Sequence, residues 1–138
     1  MNKLIAILFV LISIGGMFYF STQTAIDSSI QSQFFIDLIY KLSGVRLNSY
    51  IIRKLAHVFM FMMISVSIVI FVYMISNNII VSIGISSLIS IGYACLDEYI
   101  QTFIEGRSGN IKDVMIDCIG VIIGILIIGG LIWIIKKK

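Results

Sequence analysis

The chain has 138 residues, of which 59% are hydrophobic and 12% charged, with a mean hydropathy of +1.10 and a formal charge of +3. A water-soluble globule cannot carry that share of apolar side chains, so the solvent for most of this protein is lipid. The basic excess does not indicate nucleic acid, because the Lys and Arg residues are divided among the edges of apolar runs rather than gathered on one soluble face.

Crossing a hydrocarbon core of roughly 30 Å takes about 20 apolar residues in a helix, which satisfies its own backbone groups without partner strands. Four proline-free runs meet that demand, over residues 4–20, 55–75, 79–96 and 114–135. They predict an all-α integral membrane bundle of four transmembrane helices, one domain over residues 1–138. The first run, with Lys3 before it and Ser21-Thr22-Gln23-Thr24-Ala25 after it, imitates a signal peptide. Its length and the three spans that follow favour a retained helix.

Residues 21–54 are too many for a structureless loop. Ile30, Phe34, Phe35, Leu38, Ile39 and Leu42 recur at helical spacing, Asp37 and Lys41 form an i,i+4 pair, and Gly44 stands where a C-terminal cap belongs. A short interfacial amphipathic helix is expected, lying on the membrane surface or packed over the mouth of the bundle. The second span starts at the capping pair Asn48-Ser49 and carries Arg53, Lys54 and His57 into the bilayer. Only Ser76-Asn77-Asn78 separates it from the third, so these two form an antiparallel hairpin. The third ends in Asp97, Glu98 and Gln101; after a loop over 104–110 the fourth opens on Asn110 as cap, with Asp113 three residues on and Asp117 a turn deeper. Cys95 and Cys118 sit inside apolar runs, where packing is the ordinary role, although their positions would also allow a disulfide.

An even number of spans puts both termini on one side. Lys3 and the triplet Lys136, Lys137 and Lys138 favour the cytoplasm, while Lys41, Arg46, Arg53, Lys54, Arg107 and Lys112 on the other side count against it.

The unusual polar residues all fall at one end of the bundle. Arg53 and Lys54 lie near a helix N-terminus and Asp97 and Glu98 near a C-terminus, each set opposing its own helix dipole. The hairpin would bring the two sets together in a salt-bridged network. Arg53 and His57, Asp97 and Gln101, and Asp113 and Asp117 are spaced i,i+4, with Lys54 and His57 i,i+3, so each span presents a polar stripe. Ionisable groups within spans are costly to expose to lipid and face one another or a watery cavity. Plainer roles exist for several of them. His57 can simply hydrogen-bond a carboxylate, Asp113 can close a capping box with Asn110, and Arg53 and Lys54 can snorkel to headgroups. Gly120, Gly124, Gly129 and Gly130 serve close helix packing. No spacing matches a specific metal site and no catalytic signature is present, so no metal or cofactor is assigned. Arg53, Lys54 and Arg107 are suited to gripping a phosphate-bearing lipid headgroup.

Lys54-x-x-His57, Asp97-Glu98-x-x-Gln101-x-Phe103-x-x-Gly106-Arg107-Ser108, Asp113 and Asp117-x-x-Gly120-x-x-x-Gly124, with Ser21-Thr22-Gln23 and Asp27-Ser28-Ser29 earlier, resemble the VanZ family of bacterial membrane proteins over nearly the whole chain. Asp117 stands where many members carry Asn. The resemblance implies a multi-pass protein of the bacterial cell membrane. Its founding member is associated with low-level teicoplanin resistance by a route that does not remake the peptidoglycan precursor, and most members have no assigned role. Lys54, His57, Asp97, Glu98, Gln101, Arg107, Asp113 and Asp117 are the motif positions. Two functions follow as expectations. In one, the polar cluster, with Arg53 included, binds membrane lipid, a lipid-linked envelope precursor or a glycopeptide antibiotic. In the other, an intramembrane enzyme acts on a lipid-linked phosphate, with His57 as acid/base and Arg53 and Arg107 holding the phosphate. A channel or transporter role would require an oligomer.

Overall fold

The structure, a computed structural model, describes residues 2–137. Among these it has five helices: α1 (Lys3–Ser21), α2 (Ala25–Ser43), α3 (Ser49–Ser76), α4 (Ile79–Gln101) and α5 (Ile111–Lys137). Helices α1, α3, α4 and α5 are long and apolar enough to cross a membrane. Of the terminal basic triplet, Lys138 and the side chain of Lys137 lie outside the described residues.

Each spanning helix begins on an asparagine whose side-chain oxygen takes a free backbone N–H of the first turn. Asn2 accepts from Leu4, Asn48 from Tyr50, Asn78 from Ile80 and Val81, and Asn110 from Lys112. The α3–α4 turn is as tight as expected, with Asn77 in the left-handed conformation at φ 49° and its N–H bonded to the Tyr73 carbonyl. Helix α4 runs to Gln101, more than a turn past residue 96, because Asp97 and Gln101 are bonded to each other within it.

The sidedness is inverted relative to a water-soluble protein. Leu88 and Leu126 are 77% and 68% exposed, whereas Asp97 and Asp117 are each 1% exposed. Helix α3 is the hub and packs on all four others. Met17, Phe61, Ile64, Ile68, Ala94 and Val121 fill the centre, and the Ser86 hydroxyl donates to the Ser65 carbonyl at 2.9 Å to tie α4 to α3. The most extensive contact is between α3 and α5, which run parallel. A Cβ at Gly120 would collide with the Val58 carbonyl, and one at Gly124 with Ser65 and the Met62 carbonyl, so these two glycines set how closely the backbones approach.

Helix α2 packs on α3 through Ser28, Ser32 and Ile36 and leaves Ile30, Phe34, Phe35, Leu38 and Leu42 exposed. The apolar stripe thus faces away from the bundle, as lipid contact requires. Thr24 caps its start by accepting from the Asp27 N–H, and Gly44, at φ 72°, closes its end as expected. The anticipated Asp37–Lys41 pair does not form. Asp37 accepts from Gln33 at 2.8 Å, one turn earlier on the same face.

Candidate functional site

The C-termini of α1 and α4, the N-termini of α3 and α5, and the loop over residues 102–110 meet at one end of the bundle. Their polar side chains form two rungs between α3 and α5 and a web reaching α1 and α4. In the first rung Lys54 Nζ lies 2.6 Å from Asp113 Oδ2. In the second His57 Nδ1 lies 3.3 Å from Asp117 Oδ1, near in distance but not aligned as a hydrogen bond. The i,i+3 step on α3 and the i,i+4 step on α5 keep both rungs in register, because the glycine seam holds the two helices side by side.

Two sequence expectations are corrected here. Asp113 does not close a capping box with Asn110. It crosses to Lys54, and the free N–H of Asn110 is taken by Glu98 Oε2 from α4 at 2.9 Å. Nor do Arg53 and Lys54 pair with Asp97 and Glu98. The hairpin partner of α3 was expected to supply the counter-charges, but α5 lies nearer to Lys54 and its Asp113 neutralises it.

Asp97 is held by two neighbours: the Ser21 hydroxyl donates to Oδ1, and Gln101 Nε2 donates to Oδ2 at 2.8 Å. Ser21 is a member of the web that sequence reasoning missed as a site residue. Its place at the last turn of the first span, opening the Ser21-Thr22-Gln23 motif, was the available signal. Its carbonyl is used as well. Arg107 reaches from the loop to the carbonyls of Ser21 and Phe20, each at 3.4 Å, placing a cation at the negative end of the α1 dipole. Burial first, and then the charge of Arg53, push the Arg107 guanidinium below its ordinary pKa, although an arginine stays charged. Among the described residues Arg53 has no carboxylate within ion-pair distance.

His57, Asp97, Glu98 and Asp117 each present an atom within 4.8 Å of one another's. Of these four, Asp97, Glu98 and Asp117 are buried, while His57 stands at the edge. Cys95 and Cys118 are both free thiols, Cys95 exposed and Cys118 half-buried.

Two cavities meet at this end. One, of about 180 Å³, is polar and is lined by Tyr50, Arg53, Lys54, His57, Arg107 and Asp113 among others. The second, of about 460 Å³, is a largely apolar groove over α3 between α1 and α2, with Phe20, Phe35, Ile39, Leu55, Phe59 and Met60 in its walls. Arg53, His57 and Arg107 border both cavities. The arrangement can accommodate a molecule with an apolar tail and an anionic head.

Compared with known proteins, residues 5–134 match a family model described as VanZ/LLP1. Searches of curated proteins and of solved structures found no match.

Proposed function

The chain belongs to the VanZ/LLP1 family, and on that footing we propose that it binds an anionic membrane amphiphile, a lipid or lipid-linked envelope precursor whose phosphate lies between Arg53 and Arg107 and whose hydrocarbon occupies the groove. One observation carries this reading. Two guanidinium groups, Arg53 with no carboxylate partner among the described residues and Arg107 bonded only to the α1 carbonyls, both border the place where an apolar groove opens into a polar cavity. Like charges held together at a water-poor boundary call for an anion, and a guanidinium fork suits a phosphate. With the termini in the cytoplasm the polar end faces the outer leaflet, where such a precursor is handled. Altered susceptibility to teicoplanin-type glycopeptides is the cellular consequence we expect.

Native mass spectrometry of the detergent-purified protein with phosphatidic acid or phosphatidylcholine tests the binding. Arg53→Ala and Arg107→Ala should each weaken it about tenfold relative to phosphatidylcholine, the loss of one charge-assisted contact. Equal retention of both lipids by wild type and variants would overturn it. Labelling of a cysteine placed in the Gly106 loop, compared in intact and lysed cells, tests the orientation. Arg107→Ala should also abolish any glycopeptide protection in cells while the protein still inserts.

A second reading has its own observation. The His57 imidazole borders both cavities and has the Asp117 carboxylate 3.3 Å from its Nδ1, which puts a titratable ring beside the space for the phosphate. In that reading the site hydrolyses the bound phosphate ester. Release of inorganic phosphate from a lipid phosphate by the purified protein, lost in His57→Gln, would establish it; binding without turnover leaves the first reading alone.

A further inference from the structure

The carboxylates behind the polar cavity have a composition that lipid binding does not use. Asp117 is 1% exposed and neither of its oxygens makes a hydrogen bond; Glu98 is 5% exposed and its Oε1 makes none; the buried Nδ1 of His57 makes none either. Lys54 and Arg107 have their closest partners elsewhere, at Asp113 and at the end of α1, and only the His57 imidazole stands against the cluster, 3.3 Å from Asp117. Three carboxylates held this close in a low-dielectric interior are neutralised either by protons or by a counter-ion.

From these atoms we propose that His57, Asp97, Glu98 and Asp117 bind one divalent cation of the Mn²⁺ or Zn²⁺ class. The proposal stands on the cluster itself and does not depend on the lipid reading. Ligand atoms sharing an ion through bonds of roughly 2.0–2.4 Å can be no more than about 4–5 Å apart, and the four atoms lie within 4.8 Å of one another. The 3.3 Å between His57 Nδ1 and Asp117 Oδ1 is the separation of adjacent ligands on such an ion.

The surrounding bonds are those that orient ligands from behind. Ser21 and Gln101 fix the two oxygens of Asp97, and the Asn110 N–H holds Glu98 Oε2 so that Oε1 is the oxygen left unbonded. One imidazole nitrogen with carboxylate oxygens and no thiolate suits Mn²⁺, Fe²⁺ or Zn²⁺ rather than a soft ion. His57 and Gln101 border the polar cavity, so the ion would stand beside the space assigned to the phosphate.

The test uses the full chain purified in detergent, stripped with a chelator and desalted. Titration with MnCl₂, followed by the loss of the free-ion electron paramagnetic resonance signal, should show one ion per chain, and the ion should raise the thermal unfolding midpoint. Retained zinc after desalting from ZnCl₂ should give the same stoichiometry. Asp117→Asn and Glu98→Gln should weaken binding about tenfold or more, whereas Asp37→Asn, a change at an exposed carboxylate on α2, should leave it unchanged. Folded wild-type protein that takes up neither ion at millimolar concentration would overturn the proposal. So would folded Asp117→Asn and Glu98→Gln variants that bind as wild type does. Should both variants fail to fold, the wild-type stoichiometry and midpoint shift decide the matter.

Discussion

The two sides of α3 are built on opposite plans. Toward α5 the backbones are pressed together by Gly120 and Gly124, and polar side chains face one another rung by rung, Lys54 against Asp113 and His57 against Asp117. Toward α1 and α2 a groove of about 460 Å³ is left, with an unpaired Arg53 at its end. The close seam supplies fixed geometry for the carboxylates and the loose side supplies room. A membrane bundle this small can position a polar site only if some contacts are rigid, and can admit a ligand only if others are not.

Splitting the seam should have the largest effect. Gly120→Leu drives a side chain into the Val58 carbonyl, which cannot move without its helix. A loss of about 3 kcal/mol or more is expected, seen as failure to elute as a single folded species in detergent. Next comes the first rung. Asp113→Ala leaves Lys54, whose side chain is only 19% exposed, without its carboxylate, and should cost about 2 kcal/mol in thermal or denaturant unfolding. Combining it with Lys54→Met should recover much of that loss; strict additivity would show that the pair is not coupled. Ser21→Ala removes one donor from the buried Asp97 and should cost about 1.5 kcal/mol. On the loose side, Arg53→Ala should change stability by less than about 0.5 kcal/mol while weakening phosphatidic acid binding. A large stability loss there would mean that Arg53 belongs to the scaffold, and the contrast between the two sides would fail.

Much of the architecture was legible in the residues. The four spans follow from run length and hydropathy, the starts of α3 and α5 from Asn48 and Asn110, and the end of α2 from Gly44, because each of these signals acts within a turn or two of its own position. The polar residues of the second, third and fourth spans could be placed at one end by counting turns, while Ser21 of the first was missed. Their pairing could not. Sequence order makes α4 the obvious neighbour of α3, yet the Lys54 partner sits on α5, since the depth of contact is decided by where glycines let backbones meet. The gathering of His57, Asp97, Glu98 and Asp117 at that end follows from their places on the spans; that one atom of each comes within 4.8 Å of the others does not, because the residues come from three helices and have no shared spacing motif. The apolar groove left no trace in the sequence, being the space between two helices that both lean on a third.

The groove walls include Phe20, Phe35, Leu55 and Phe59, each about half exposed on the outer surface of the bundle, so this cavity communicates with the hydrocarbon layer rather than with water. On the proposed lipid reading, a guest arrives there by lateral diffusion, at the two-dimensional density of its leaflet, already stripped of water along its tail. Occupancy is then set by the mole fraction of that lipid in the membrane, and a tailless, water-soluble analogue of the same headgroup should be a poor competitor however well its phosphate fits.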